Sequence, residues 1–369
     1  MRVQLVDPSA FTPPYDHALS AALARAGVDV ELLTSRFPYG PVPAAEGYRV
    51  TEAFYPLSAR LGPRSRGRTA LKLTEHVPGM LALRRRTRRA DLVHYQWLTV
   101  QPLDVHLLPP KRPRVLTAHD ILPREPRPGQ LAATRRLVRR MDAVVVHSEH
   151  GARRLREELG AEADRVRVIP HGAFDHLTRQ ARETSLPPDL EQVRGPVVLF
   201  FGLLRPYKGL DVLLEAFRQI ESAELWVVGM PRMDLAPLEE LARRGPGTVR
   251  FVPRFVTDPE IPSFFRRADV VVLPYREIDQ SGVLYTALAF GKPLVLSDVG
   301  GFGEVAREHG AGRLVPPGDP HALAAAVREL LEDPIARDRL ADAAARAAAG
   351  PYSWDAAAAS TLELYRELA

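Results

Sequence analysis

The chain has 369 residues, of which 46% are hydrophobic and 26% charged, and a formal net charge of +5 at pH 7. This is too long for one ordinary core and fits two α/β domains of a globular protein. No apolar run of about 18 residues is available for a spanning helix, and the absence of cysteine excludes disulfides, thiolate metal sites and cysteine nucleophiles. The opening MRVQLVD reads as a strand rather than a signal peptide, so a cytoplasmic location is expected.

The charge is unevenly spread. Residues 1–185 hold 30 Lys and Arg against 19 Asp and Glu, and residues 186–369 hold 20 against 26. The densest basic cluster is Arg84, Arg85, Arg86, Arg88 and Arg89, preceded by Arg64, Arg66 and Arg68. It reads either as a solvated helix face or as the footprint of an anionic partner, such as a phosphorylated acceptor or the inner face of a membrane. Nucleic acid is not expected, because no aromatic residues interleave the cluster and no recognised binding motif accompanies it.

In chain order, strands are predicted at Val3–Val6, Asp29–Leu33, Leu92–His94, Arg114–Ala118, Ala143–His147 and Val166–Ile169, with a helix over about Tyr15–Ala26 after the first. The polar, proline-containing stretch 183–196 is read as a linker. A second series follows, with strands at Val197–Phe201, Glu224–Val228, Thr248–Phe251, Val270–Leu273 and Leu294–Ser297. Helices are expected between them at Leu210–Ile220, Leu235–Arg244, Ile261–Arg267 and Val283–Phe290. Alanine-rich helices follow at Ala322–Leu331 and Ile335–Ala349, and Ser353 opens a last one. Alternating strands and helices imply two parallel sheets, each covered on both faces. Ligands of such sheets lie at the carboxyl ends of strands, so a cleft between the two is the expected site.

The sharpest segment is FGLLRPYKGLDVLLEAF, from Phe201 to Phe217. A buried strand ends near Gly202, and a short loop carries Arg205 and Lys208 to the start of the next helix. Arg offers a planar fork and Lys a point charge for phosphate oxygens, beside the free N–H groups of the helix. Together they can neutralise a diphosphate without a metal. A second loop-to-helix segment, Pro274-Tyr-Arg-Glu277-Ile-Asp279-Gln-Ser281-Gly282-Val283-Leu284-Tyr-Thr286, again presents a helix start with a glycine. A dinucleotide site is excluded, because the first strand is followed by Asp7-Pro-Ser-Ala-Phe-Thr-Pro-Pro with no glycine.

The Arg205–Lys208 segment resembles the donor-phosphate signature of glycosyltransferase family 4, and the resemblance extends over nearly the whole chain. It implies the GT-B fold, with two Rossmann-like parallel-sheet domains facing a central cleft. Residues 1–185 would form the acceptor-side domain and 196–350 the nucleotide-sugar domain, with helix 353–369 packing back on the first. The family usually places a Glu, seven residues and a second Glu before the sequence that here is Ala289-Phe-Gly291-Lys-Pro293; those positions are Ile278 and Thr286 in this chain. Glu277 or Asp279 stands in for the first, and Thr286 offers a single hydroxyl in place of the second. The Ser281-Gly282 start is similar to that of inverting GT-B enzymes of peptidoglycan synthesis. Gly300-Gly301-Phe-Gly303-Glu304 resembles the family turn that closes over the donor.

His119, in Thr117-Ala-His119-Asp120, resembles the family's cleft histidine, which contacts the donor sugar. Ile169-Pro-His171-Gly172 resembles its Ile-Pro-x-Gly turn. On the acceptor side the family's loop glycines are missing, and Thr12, Tyr15, Asp16 and His17 open the helix instead; His171 is assigned to the same side. Asp16 reads equally as a helix-start acid, and His147 and His150 follow another strand. The histidine spacing matches no zinc pattern, so neither a metal nor a cofactor is expected.

The resemblance implies transfer of a sugar from a nucleotide-diphosphate donor (UDP- or GDP-sugar) to a hydroxyl of a sugar or lipid-linked acceptor. Retention of configuration, a bacterial source and a role in polysaccharide or cell-envelope assembly at the inner membrane face are part of that expectation. Epimerisation of a nucleotide sugar, or a donor-binding subunit without catalysis, are the alternative readings.

Overall fold

Runs such as Ala143–Val146 and Val270–Leu273 are buried along their whole length, as central strands covered on both faces must be. The computed structural model describes residues 1–62, 65–110, 113–122 and 128–369; Arg64 and the side chain of Arg66, both counted in the basic cluster, lie outside the described residues. The chain forms two units, Met1–Gly172 with Trp354–Ala369, and Ala173–Ser353.

The first unit runs β1 (Arg2–Asp7), α1 (Pro13–Arg25), β2 (Asp29–Thr34), β3 (Arg49–Glu52), α2 (Arg66–Arg86), β4 (Leu92–Tyr95), α3 (Gln101–Leu107), β5 (Arg114–Thr117), α4 (Gln130–Arg139), β6 (Ala143–Val146), α5 (Glu149–Leu159) and β7 (Val166–Val168). The second runs α6 (Pro188–Glu191), β8 (Val197–Phe201), α7 (Leu210–Phe217), β9 (Glu224–Val228), α8 (Ala236–Arg243), β10 (Thr248–Val252), α9 (Ile261–Arg267), β11 (Val270–Leu273), α10 (Gly282–Ala289), β12 (Leu294–Ser297), α11 (Phe302–His309), β13 (Arg313–Val315), α12 (Pro320–Glu332) and α13 (Pro334–Ala349). Helix α14 (Trp354–Leu368) belongs to the first unit.

Both sheets are parallel throughout, in the orders β3-β2-β1-β4-β5-β6-β7 and β10-β9-β8-β11-β12-β13. Each order reverses once, between β1 and β4 and between β8 and β11. Such switch points leave a crevice beyond the carboxyl ends of the two strands, where ligands of open α/β sheets bind.

The expected linker 183–196 is corrected. Leu190 and Val193 are buried in the second unit's core with Val197 and Leu199, and Phe174 and Leu186 pack against the same core. The division therefore falls after Gly172 rather than after residue 185. Helix α14 packs on α1 of the first unit. There the Tyr365 hydroxyl lies 2.6 Å from His94 Nδ1, and Arg25 pairs with Asp355 at 2.6 Å. Gly172 is required by this docking, since a Cβ at that position would lie 2.3 Å from the Trp354 indole. The edge strands β3 and β13 and helix α11 were not expected from the sequence.

Candidate active site

In the second unit the switch-point crevice is bounded by the loop after β8 and the loop after β11. Gly202 turns the chain out of β8 at φ +108, and Arg205 follows in an extended conformation. Pro206–Lys208 makes one 3-10 turn, and Gly209, at φ +66, leads into α7. Both glycines are sterically obligatory. A Cβ on Gly209 would stand 2.0 Å from the Pro274 carbonyl oxygen, and one on Gly202 would meet Lys208 Nζ and Val283 Cγ2 at 3.0 Å. Strand end, cationic turn and the start of α10 thus converge within van der Waals reach.

Lys208 is buried, with its ammonium 5.0 Å from the centre of the Tyr275 ring, a favourable cation–π arrangement. Arg205 is half-buried, and among the described residues no hydrogen bond or ion pair holds its guanidinium. The Tyr275 hydroxyl lies 3.3 Å from Ser281 Oγ, and the Ser281 side chain does not cap α10. Among the described residues no capping side chain therefore offsets the partial positive charge at the start of that helix, although the Leu284 N–H donates to the Ser281 carbonyl at 3.0 Å.

The remaining donor-side residues are distributed as follows. Glu277 is exposed, Asp279 and Ser281 are buried, and Leu284 is core. Ile278, at the family's first Glu position, is buried and its carbonyl abuts Gly300, where a Cβ would lie 1.9 Å away. Thr286 is buried and its hydroxyl donates to the Gly282 carbonyl at 2.9 Å, so its proton is committed to its own helix. Glu304 lies half-buried in the first turn of α11.

A feature missed in the sequence joins the two loops. Arg276 forks onto both oxygens of Asp211 at 2.8 and 2.6 Å, and Nη1 also donates to the Pro206 carbonyl at 3.1 Å. Its backbone N–H donates to the Tyr207 carbonyl at 2.8 Å. The guanidinium holds the Asp211 carboxyl below its ordinary range.

In the first unit the crevice lies between the loops after β1 and β4. The β1 loop turns without glycine. Ala10 takes φ +48, and the buried Asp7 carboxylate accepts from the N–H groups of Ser9, Phe11 and Thr12 at 3.1, 2.6 and 3.3 Å. Burial and the adjacent Asp7 raise the Asp16 carboxyl well above its ordinary range, which favours Asp16 as the proton donor of the pair. Asp16 is therefore more than a helix-start acid, because it completes the carboxyl pair that shapes the loop.

Tyr15, His17 and His171 are also buried. Tyr15 is ringed by His119, His147, His171 and Trp354 at centroid distances of 4.6 to 5.3 Å. His17 Nδ1 is 2.6 Å from the Tyr48 hydroxyl. Burial, and then neighbouring imidazoles, hold His119 and His171 well below the ordinary histidine range; burial lowers His147 to about 4.

The imidazoles are neutral and chained. His147 Nδ1 donates to the Ile169 carbonyl at 2.9 Å, which leaves its Nε2 to accept from His119 Nδ1 at 3.4 Å. His119 Nε2 lies 3.2 Å from Gln96 Oε1; as an acceptor it pairs with that amide once its O and N are exchanged, which also fits Gln96 Nε2 having no partner. His119 is stacked on Trp97 at 5.2 Å and 15°.

Several crevice residues were missed because they come from distant segments. Phe11 is exposed and packs against Trp97, and the Lys72 ammonium lies 4.6 Å from the Tyr55 ring and 5.7 Å from the Phe11 ring. Behind them the Tyr55 hydroxyl meets His76 Nδ1 at 2.7 Å, and His76 Nε2 meets Asp104 at 2.6 Å. In the basic cluster, Arg84 caps α3 by donating to the His106 and Leu107 carbonyls, while Arg85, Arg86, Arg88 and Arg89 are exposed. Among the described residues no group of three or more His, Asp or Glu is placed to hold a metal ion, and no helix is long and apolar enough to cross a membrane.

Comparison with known proteins accounts for both halves. Residues 15–173 match the model described as Glycosyltransferase Family 4, and residues 195–333 match Glycosyl transferases group 1. A D-inositol 3-phosphate glycosyltransferase of Xylanimonas cellulosilytica is 30% identical over 95% of this chain and 89% of its own length. Among solved structures, sucrose-phosphate synthase from Thermosynechococcus elongatus superposes with a TM-score of 0.77 at 22% identity, covering 100% of this chain and 98% of that one. HepE from Anabaena, in complex with UDP and glucose, gives 0.73 at 20% identity over 100% of both chains.

Proposed function

The chain belongs to glycosyltransferase family 4 and is a GT-B glycosyltransferase, and from that premise we propose that it moves a sugar from a UDP- or GDP-sugar to an acceptor hydroxyl with retention of configuration and without a metal. The observation that carries the donor assignment is the Gly202–Gly209 turn at the β8/β11 switch point, which sets Lys208 beside the start of α10 and carries Arg205 at the head of the same turn. Breaking the bond between anomeric carbon and phosphate develops negative charge on the departing diphosphate. Two cations and a helix N-terminus fixed before reaction stabilise that charge without reorganisation. HepE, whose structure holds UDP, supports UDP as the first donor nucleotide to test.

In this reading the leaving phosphate oxygen accepts the acceptor proton, so no dedicated protein base is needed. His119 is neutral and meets the sugar without charge. The acceptor is held in the β1/β4 crevice, lined by Phe11, Trp97 and Lys72. Tyr15, Asp16, His17 and His171 support that crevice from beneath. The exposed arginines at the end of α2 fit an acceptor carried on an anionic membrane, with the enzyme at its cytoplasmic face.

The test is a thermal-shift screen against UDP-, GDP-, ADP- and TDP-sugars, followed by transfer assays with the donor selected. Stabilisation by one of the four and transfer of its sugar is the expected result. Stabilisation by none contradicts the donor assignment, and isomerisation of the donor without acceptor shows an epimerase instead.

A further inference from the structure

We propose that Arg276 and Asp211 are positioning residues for donor binding: their ion pair fixes the cationic turn at the place where it meets the diphosphate. The proposal rests on the reading of Arg205 and Lys208 as diphosphate ligands.

The turn needs an external brace. Arg205 precedes and Lys208 ends a single 3-10 turn between two positive-φ glycines, and so short an element does not fix its own orientation. Arg276 supplies four of the bonds that do. Its guanidinium joins both Asp211 oxygens, on the first turn of α7, to the Pro206 carbonyl inside the cationic turn, while its backbone N–H holds the Tyr207 carbonyl. The close approach of Gly209 to Pro274 adds a steric stop on the same side. Arg276 thereby registers the β8 loop against the β11 loop, and the two loops carry the proposed phosphate ligands and the start of α10.

The pair has an electrostatic role as well. Asp211 lies three residues after Lys208, and an unpaired carboxylate there would repel the incoming diphosphate. Arg276 neutralises it, and only an arginine can hold both carboxylate oxygens and the carbonyl at once. The two side chains are 44% and 45% exposed, and ion pairs in that setting contribute little to folding. A role in placing the turn therefore separates cleanly from a role in stability.

The experiment is isothermal titration of wild type, Arg276→Ala, Arg276→Lys and the Arg276→Ala, Asp211→Asn double variant with UDP, GDP, ADP and TDP and with the matching nucleosides, alongside thermal unfolding. Wild type is expected to bind one diphosphate. Arg276→Ala is expected to weaken that diphosphate about tenfold or more while leaving the nucleoside within about twofold. Arg276→Lys should fall between them because it keeps charge but loses the fork. Adding Asp211→Asn to Arg276→Ala should recover part of the loss by removing the repelling charge. Unchanged diphosphate binding in Arg276→Ala overturns the proposal, as does an equal loss for diphosphate and nucleoside accompanied by a lower Tm. Failure of wild type to bind any of the four diphosphates removes the donor reading itself.

Discussion

The Lys208 ammonium rests over the Tyr275 ring, 5.0 Å from its centre, at the junction of the β8 loop and the β11 loop. The ring face supplies a buried cation with a favourable partner, as the proposed diphosphate ligand needs if it is to keep its charge. Tyr275→Phe keeps the ring and loses the approach of the hydroxyl to Ser281, so nucleoside diphosphate affinity should stay within about threefold, the scale of one weak hydrogen bond. Tyr275→Leu removes the π face and should weaken the diphosphate by roughly 1 kcal/mol, about fivefold. Titration calorimetry of the two variants distinguishes the ring from the hydroxyl.

Gly209 is fixed by sterics on two counts, a left-handed φ of +66 and a Cβ position 2.0 Å from the Pro274 oxygen. Gly209→Ala must shift the turn away from the β11 loop, and a cost of about 1–3 kcal/mol is expected. Chemical denaturation should show that loss together with weaker diphosphate binding, since the displaced segment carries Lys208. Gly195, which has nothing within reach of a Cβ, is the control, and Gly195→Ala should leave both measurements near wild type.

The buried histidines make stability depend on pH. His147 titrates at about 4 because burial disfavours its charged form, and His119 and His171 are also lowered by burial. The unfolded chain takes up these protons near the ordinary value of about 6.5, so it binds more protons than the folded chain between pH 6.5 and about 4. Stability should therefore fall as pH falls through that window. Thermal unfolding from pH 7 to pH 4.5 should show a declining Tm, with a shallower slope in His147→Gln. Parallel slopes would show that His147 does not contribute.

Asp16 acts with the opposite sign. Its folded carboxyl is raised well above the ordinary range by burial and by Asp7, so the folded state holds a proton that the unfolded chain releases above about pH 4. The contribution from this protonation declines as pH rises toward neutrality. Asp16→Asn keeps a neutral donor toward Asp7 without needing that proton. Relative to wild type it should gain stability on going from pH 4 to pH 7, measured by urea unfolding at both values.

The sequence revealed most of the fold because the central strands are continuous apolar runs. Glu224–Val228 and Leu294–Ser297, for example, have the bounds expected. It concealed β3, Arg49–Glu52, because this edge strand is largely exposed and polar, and α2 because Pro78 and many arginines mask its periodicity. The turn proposed to hold the donor was legible as a unit because Gly202, Arg205 and Lys208 occupy one short segment. The clamp was not, since Asp211 and Arg276 lie 65 residues apart and meet only through the β8/β11 adjacency. The first crevice was harder still: Phe11, Lys72 and Trp97 come from three separate segments, and Asp16 acquires its proton only when folding buries it beside Asp7. Thr286 stood at a family position, but nothing in its spacing showed that its hydroxyl would turn to the Gly282 carbonyl.

The central claim is that Arg205 and Lys208 hold the donor diphosphate, and titration of the Arg205→Ala, Lys208→Ala double variant tests it most directly. With the nucleoside diphosphate that wild type binds, affinity should fall about a hundredfold or more, the scale of losing charge-assisted contacts to an anion, while the matching nucleoside binds as before. A double variant that binds the diphosphate with wild-type affinity would contradict the account.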